Sequence, residues 1–135
     1  MVDEKLYNDK VSLDAPVFED YRGIIQRHLI GGVKFNALTT KPGVFRSGDV
    51  HKTLTQFDLI LKGEFEITLR QDSKDVVMIK KANELIVIPP GTPHLFKSLT
   101  DTVLLEWWDG PFECEYYRPY RDIVDQNYSE MKDKL

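Results

Sequence analysis

The sequence predicts an all-β fold in a single domain, built as an antiparallel barrel or sandwich. From about residue 23 to residue 108, short segments rich in β-branched and aromatic residues alternate with turn signals. Several of these segments alternate polar and apolar residues at a period of two, as strands with one buried and one wet face do. The chain has 135 residues, which is enough to bury one core, so we expect a single domain that spans residues 1–135.

Turn signals set the expected strand boundaries. Gly63 separates two of the predicted strands, and residues 72–75 form another turn. Residues 85–88 are apolar throughout, so we expect that strand to be buried on both faces. In chain order, the predicted strands are residues 33–40, 56–62, 64–70, 76–79, 85–88 and 102–108.

The two ends of the chain differ from this core barrel. Residues 1–16 are polar with weak periodicity and suggest an arm or a short helix. After Pro119, apolar residues recur at helical spacing. We therefore predict an amphipathic helix over about residues 120–132 that packs on the barrel.

Composition argues against several function classes. The net charge of −4 provides no basic field for nucleic acid. The N-terminal residues lack the apolar core of a signal peptide, and no apolar run is long enough to span a bilayer. The one cysteine, Cys114, allows no internal disulfide and suits a reducing compartment. We expect a cytoplasmic protein with no nucleic-acid or membrane partner.

Two histidines stand in separate motifs, each beside an apolar strand. The first motif contains Asp49, His51 and Gln56, and Gly63 follows it. The second is a Pro-Pro-Gly turn with His94 just beyond it. Over roughly residues 43–98 this pair of motifs resembles the cupin superfamily of small jelly-roll barrels. The resemblance implies that His51, Gln56 and His94 point into one cavity.

A further set of segments is similar to cupins that act on nucleotide-linked sugars, the 3,4-ketoisomerases and 3,5-epimerases. They are Asp-Tyr-Arg-Gly at residues 20–23, the stretch that begins at Arg46, and the Tyr-rich end at residues 116–122. This sequence departs from the ketoisomerases in having Asp49 in place of one paired histidine. It also has His94, a feature that the epimerases keep. The resemblance implies an isomerase or epimerase that acts by proton transfer and needs no cofactor.

The same resemblance implies roles for individual residues. Proton transfer beside a ketone needs a base with a pKa near neutrality, and His51 is the expected one. Asp49 would orient His51 or raise its pKa, and the phenol of Tyr117 or Tyr120 would serve as the acid. Arg46 and Arg22 would pair with a diphosphate. The other expected ligand contacts are Gln56, His94 and Trp107, although either Trp107 or Trp108 can face the pocket.

Two other functions remain open at the level of sequence. In the first, His51, Gln56, His94 and Asp49 hold a divalent ion (Mn, Fe, Ni or Zn) for oxygenase or lyase chemistry. In the second, the protein binds a carbohydrate or another small ligand without catalysis. In each case we expect a homodimer, because Phe57, Leu59 and Leu61 alternate with the inward residues of their strand and need a cover.

Overall fold

The computed structural model describes residues 17–134, and the arm predicted at residues 1–16 lies outside them. The described part is mainly β-structure with a C-terminal helix, as predicted. The strands are β1 (Val17–Asp20), β2 (Gly23–Ile30), β3 (Val33–Thr40), β4 (Phe45–Val50), β5 (Gln56–Lys62), β6 (Glu64–Gln71), β7 (Lys74–Lys81), β8 (Leu85–Ile88), β9 (His94–Ser98), β10 (Thr102–Trp108) and β11 (Glu115–Tyr116), and the helix is α1 (Arg118–Asp133).

Two antiparallel sheets face each other across an apolar core. One has the strand order β1-β2-β3-β10-β5-β8 and the other the order β11-β4-β9-β6-β7. Inward and outward side chains alternate along strands such as β5 and β6, which contribute their inward residues to the core. The core consists of Leu38, Ile60, Phe65, Ile67, Leu69, Ile86, Ile88, Phe96 and Leu104.

Helix α1 packs on the outer face of the second sheet. Its buried residues Tyr120 and Val124 contact Leu95 of β9, with Phe45 and Tyr117 at the margin. The helix begins at Arg118, two residues before the predicted start, because Pro119 occupies its first turn, where no backbone N–H is needed. No helix in residues 17–134 is long and apolar enough to cross a membrane.

Strand β8 corrects one expectation. Ile86 and Ile88 are buried, but Leu85 and Val87 are 50% and 49% exposed, so one face of this strand is open. The strand lies at the edge of its sheet beside β5, and nothing in the described chain covers its outer face. A continuous apolar run therefore did not indicate burial on both faces.

The outward side chains of β8 continue an apolar row across the sheet. Val87 is paired with Phe57, and Phe57 with Trp107. The adjacent row pairs Leu85 with Leu59. This outer face, defined by Phe57, Leu59, Leu85, Val87 and Trp107, lies opposite the core side of the first sheet.

Strand β4 contains a bulge that decides which of its side chains face inward. Arg46 is paired with Phe96 and Asp49 with His94, and the register shifts between Ser47 and Asp49. In a regular strand Asp49, three residues after Arg46, would lie on the opposite face from it. Gly48 has a φ of 74° at this point, and an added Cβ would lie 2.7 Å from the Cα of Arg121. The bulge therefore aligns Arg46 with Asp49 and allows α1 to approach.

Replacing Gly48 by alanine tests this close approach. We expect Gly48→Ala to destabilise the protein by about 2–4 kcal/mol, through left-handed strain together with overlap against the backbone of α1. Gly43→Ala is the matched control, because Gly43 has a similar φ of 80° but no atom within 4 Å of the added Cβ. Urea denaturation should show the larger loss for Gly48→Ala, and equal losses would contradict the role given to the helix contact.

Candidate functional site

A cavity of about 890 Å³ is lined by residues of both sheets and of α1. Its lining combines apolar side chains with polar, charged and aromatic ones. The polar, charged and aromatic residues include Arg22, Asn36, Arg46, Asp49, Gln56, Glu106, Trp108, Phe112, Tyr116 and Arg121.

The two motif histidines come together, as the sequence predicts, but they lie behind the cavity wall. The ring centroids of His51 and His94 are 5.3 Å apart. Both residues are buried, at 3% and 0% exposure, and neither lines the cavity. The rings of Trp108 and Phe112 pack edge-on against His51, with centroids 5.7 Å away in each case. Of the three residues expected to point into the cavity, only Gln56 reaches it.

Hydrogen bonds engage both ring nitrogens of His51. Nδ1 lies 2.7 Å from the backbone carbonyl of Glu113, which can only accept, so Nδ1 carries a proton. Nε2 lies 2.8 Å from Gln56 Oε1. The indole N–H of Trp108 is 3.1 Å from both His51 Nε2 and Gln56 Oε1. The group that orients His51 is therefore the Glu113 carbonyl, and not Asp49 as expected.

Gln56 connects His51 to a buried acid. Its Nε2 donates to Asp58 Oδ2 at 2.9 Å, and Asp58 is fully buried with its Oδ1 unpartnered. Burial raises the pKa of Asp58 well above its usual range, and the negative charge of Glu106 acts in the same direction.

His94 is held as a neutral side chain. Its Nδ1 donates to the carbonyl of Thr92 at 3.0 Å, which leaves Nε2 as a buried acceptor with no partner. Burial lowers the pKa of His94 to about 4, and the neighbouring His51 contributes to the shift. At neutral pH this ring is therefore uncharged and serves as a packing element beneath the cavity.

Asp49 faces the cavity directly. Its Oδ1 is buried and has no hydrogen-bond partner in the described chain. Burial raises the pKa of Asp49 to about 6, although the positive charge of Arg121 opposes the shift. A carboxyl group with this pKa exchanges its proton near neutral pH, which is the property that a general base requires.

Glu106 is a cavity residue that the sequence reasoning missed. It lies on β10 opposite Asp58 of β5, and its Oε1 accepts a hydrogen bond from Asn36 Nδ2 at 3.1 Å. Burial raises the pKa of Glu106. One signal was present in the sequence, because Glu106 is an acid within the apolar run of residues 103–108. A charged residue in such a strand points either to solvent or into a functional cavity.

The two arginines that the sequence resemblance assigns to a diphosphate have different hydrogen-bond partners. Arg22 is engaged by Asp20, with Nε and Nη2 donating to Oδ2 at 3.0 and 2.8 Å. Arg46 donates through Nε to Thr40 Oγ1 at 2.8 Å. Burial lowers the pKa of Arg46 to about 10, and the positive charge of Arg22 adds to that effect, so Arg46 remains charged at neutral pH.

Three aromatic candidates occupy positions other than those expected. Tyr117 and Tyr120 pack under α1 with Leu95, and the Tyr120 hydroxyl donates to Asp75. Trp107 stacks on Phe57 on the outer face, with centroids 5.6 Å apart. On β10 successive side chains point to opposite faces, so Trp108 lines the cavity instead of Trp107. Tyr116, the last residue of β11, also lines the cavity, whereas Tyr117 lies between β11 and α1.

The arrangement does not fit a divalent metal ion at His51, Gln56, His94 and Asp49. Among residues 17–134, no group of three or more His, Cys, Asp or Glu side chains is placed to hold one. His51 Nε2 and Gln56 Oε1 are adjacent, but the Trp108 N–H is directed at both of them. The Trp108 N–H therefore occupies the side of these two atoms that a cation would need to approach.

No protein-family model matches the sequence, and a search of curated proteins finds no match. Solved structures with a similar fold include an oxalate decarboxylase from Lactobacillus farciminis, with 16% identity, a TM-score of 0.65 and coverage of 79% of this chain and 35% of that one. CapF, a capsular polysaccharide assembling protein from Staphylococcus aureus, has 21% identity, a TM-score of 0.62 and coverage of 74% and 31%. This is a cupin fold. The chain spans about a third of the length of these neighbours.

The buried carboxyl group of this cupin cavity predicts a characteristic dependence of stability on pH. The folded-state pKa of Asp49, about 6, exceeds the usual value of 3.8, so the folded state binds the proton more tightly than the unfolded state does. Stability is therefore greatest below pH 4 with respect to this group, and it falls as the pH rises to 6.

We expect Asp49→Asn to be more stable than the wild type at pH 7.5 by about 1–3 kcal/mol, because the amide carries no ionisation penalty. The gain should be absent at pH 4. Urea denaturation at both values measures it, with Asp101→Asn as an exposed control. A loss of stability at both pH values would show that the Asp49 carboxylate is a structural anchor and is not strained by burial.

Proposed function

We propose that this cupin binds a polar, sugar-like small molecule in the cavity and isomerises or epimerises it by proton transfer. The observation that carries the proposal is the placement of Asp49: a cavity-facing carboxyl with an unpartnered oxygen and a pKa of about 6. A base of this strength is largely ionised at pH 7 and regains its proton readily.

The chemistry that fits is removal of a proton from a carbon beside a carbonyl group and its return to a neighbouring carbon or to the other face. Asp49 takes the proton, and negative charge develops on the carbonyl oxygen. Arg121 lies close enough to Asp49 to oppose its pKa shift, so a positive potential is already present there. Fixed positive charge at such a point stabilises the transition state without reorganisation.

The walls of the cavity support a ligand of sugar-like character. Trp108, Phe112 and Tyr116 present aromatic surface, while Asn36 and Glu106 present hydrogen-bonding groups. Rings of this kind pack on the C–H faces of a sugar, and the polar groups fix its hydroxyls. The name of the S. aureus neighbour, a capsular polysaccharide assembling protein, agrees with a carbohydrate ligand.

His51 takes a positioning role in this proposal in place of the base predicted from sequence. It contacts the ligand-facing layer through Trp108 and Gln56, which both line the cavity. Fixing an indole ring by its N–H and its edge sets the width of the cavity at that point. His94 packs behind His51 and completes the support.

Deuterium exchange tests the proposed reaction. The protein is incubated in D₂O with a nucleotide-linked 4-keto sugar, with glucuronate and with 5-ketogluconate, and incorporation is followed by mass spectrometry. We expect exchange at a carbon beside a carbonyl group in at least one of them, and a fall of about 10²–10⁴-fold in Asp49→Asn. Asp101→Asn, which removes an exposed carboxylate on the surface, should retain the wild-type rate.

The controls separate the alternatives. His51→Asn should reduce exchange less than Asp49→Asn, and the reverse order would make His51 the base. Exchange should survive dialysis against EDTA, whereas loss of exchange that one divalent ion restores would support the metal-dependent function. If a ligand binds but none of the three compounds exchanges, the result would support the alternative of a non-catalytic binding protein.

We also propose that the protein is a homodimer that buries the outer face defined above. Its exposed members, Leu85 and Val87, lie on the edge strand β8, and the half-buried Phe57, Leu59 and Trp107 continue the row. An apolar face of this extent on both subunits is self-complementary about a two-fold axis.

Light scattering at micromolar concentration should therefore give the mass of a dimer. The double variant Leu85→Lys, Val87→Lys should be a folded monomer, since it places four charges in the interface of a dimer. Val77→Lys, at a position 58% exposed on β7 of the other sheet, is the matched control and should stay dimeric. A wild-type monomer would contradict the proposed dimer. A dimer that is lost only in the control would place the interface elsewhere.

The proposed location is the cytoplasm. Cys114 is a free, exposed thiol, and such thiols persist in a reducing compartment.

A further inference from the structure

Arg46 differs from the other arginines of the cavity in having its terminal nitrogens unused. Nε donates to Thr40, but within residues 17–134 neither Nη atom has a hydrogen-bond or ion-pair partner. By contrast, Arg22 is paired with Asp20, and Arg121 donates to Asp125 and to the Ser47 carbonyl. The side chain is largely shielded from solvent and points inward beside Phe96.

A charged guanidinium group that lines a cavity and has unpaired nitrogens is stabilised by binding an anion. Taking a charge out of water costs free energy that only a partner of opposite charge recovers. The two acids whose charges act on Arg46 already have partners, because Asp20 accepts from Arg22 and Glu106 accepts from Asn36. The two free Nη atoms form one edge of a planar fork, and a carboxylate matches that edge with two parallel hydrogen bonds.

We propose that Arg46 binds a carboxylate of the ligand, so that the substrates are sugar acids or related hydroxy acids. This assignment rests on the proposed function and narrows its substrate class. It replaces the diphosphate that the sequence resemblance implies for Arg46 and Arg22.

Two features of the cavity favour a carboxylate over a diphosphate. A diphosphate carries more charge and needs several free cations. Arg22 is already engaged, because one edge of its guanidinium group binds Asp20 and one face lies 4.5 Å from the centre of the Tyr128 ring. Asp49 and Glu106 line the same cavity and repel a multiply charged group more strongly than a monoanion. Arg27 and Lys34 also line it, but both take part in other interactions.

Calorimetric titration of the wild-type protein gives the first test. The probes are glucuronate, gluconate and glycolate, with glucose and the methyl ester of glucuronate as neutral counterparts and inorganic pyrophosphate as the diphosphate. We expect at least one carboxylate to bind 10-fold or more tightly than its neutral counterpart. The proposal is overturned if no carboxylate binds, if the ester binds as well as the acid, or if pyrophosphate binds more tightly than every carboxylate.

Variants then identify the residue. Arg46→Met should lower carboxylate affinity to that of the neutral counterpart, and Arg46→Lys should recover only part of it, because a point charge lacks the fork. The surface control Arg118→Met should bind like the wild type, and Arg22→Met should lose less affinity than Arg46→Met. Equal losses in Arg22→Met and Arg46→Met would indicate a two-arginine clamp and overturn the assignment. Thermal melting confirms folding, and the ester comparison does not depend on any variant.

The experiments distinguish failure of the proposed ligand class from failure of the proposed reaction. Carboxylate binding through Arg46 without deuterium exchange would keep the ligand class and reject the reaction. Exchange in a neutral or nucleotide-linked sugar that is insensitive to Arg46→Met would keep the reaction and reject the ligand class.

Discussion

The arrangement of the cavity depends on the bulge in β4 and on the contact that it allows with α1. The extra residue at Gly48 returns Asp49 to the inner face, so two consecutive inward side chains of one strand are a cation and an acid. The absent Cβ lets the backbone of Arg121 come close, and the Arg121 side chain then donates to the Ser47 carbonyl that the bulge exposes. One local irregularity thus fixes the Asp49 carboxyl group, the positive charge of Arg121 and the position of the helix together.

A second constraint is the buried polar chain beneath the cavity. It runs from the Glu113 carbonyl through His51 and Gln56 to Asp58, with the Trp108 N–H against its centre. Burial raises the pKa of Asp58 well above its usual range, so the acid at the end of this chain holds its proton more tightly than an exposed acid does. The hydrogen bonds of the chain fix Gln56 and Trp108, which both line the cavity.

Sequence patterns predicted the fold and much less of the site. Period-two alternation and turn residues located strands such as β3, β5 and β10, because burial of one face imposes that period. Predictions for single positions were wrong where a shift of one residue moves a side chain to the other face of the sheet, as for Trp107 and Trp108. The bulge at Gly48 shifts the register, and no periodicity indicates it. The role of Glu106 depends on Asn36 and Asp58, which are distant in the chain and meet only in the folded protein.

At the positions of the two motifs the structure has side chains that mostly bond to one another. His51 and Gln56 are hydrogen-bonded, and the indole N–H of Trp108 contacts both from the cavity side. The polar atoms of His51 and Gln56 are therefore directed mainly at protein partners. The charged groups lie one layer further out, on β4 and β10, where Asp49, Arg46 and Glu106 border open space. The chemistry of this cavity should therefore follow from their charges, and the histidines contribute through the rigidity of the wall behind them.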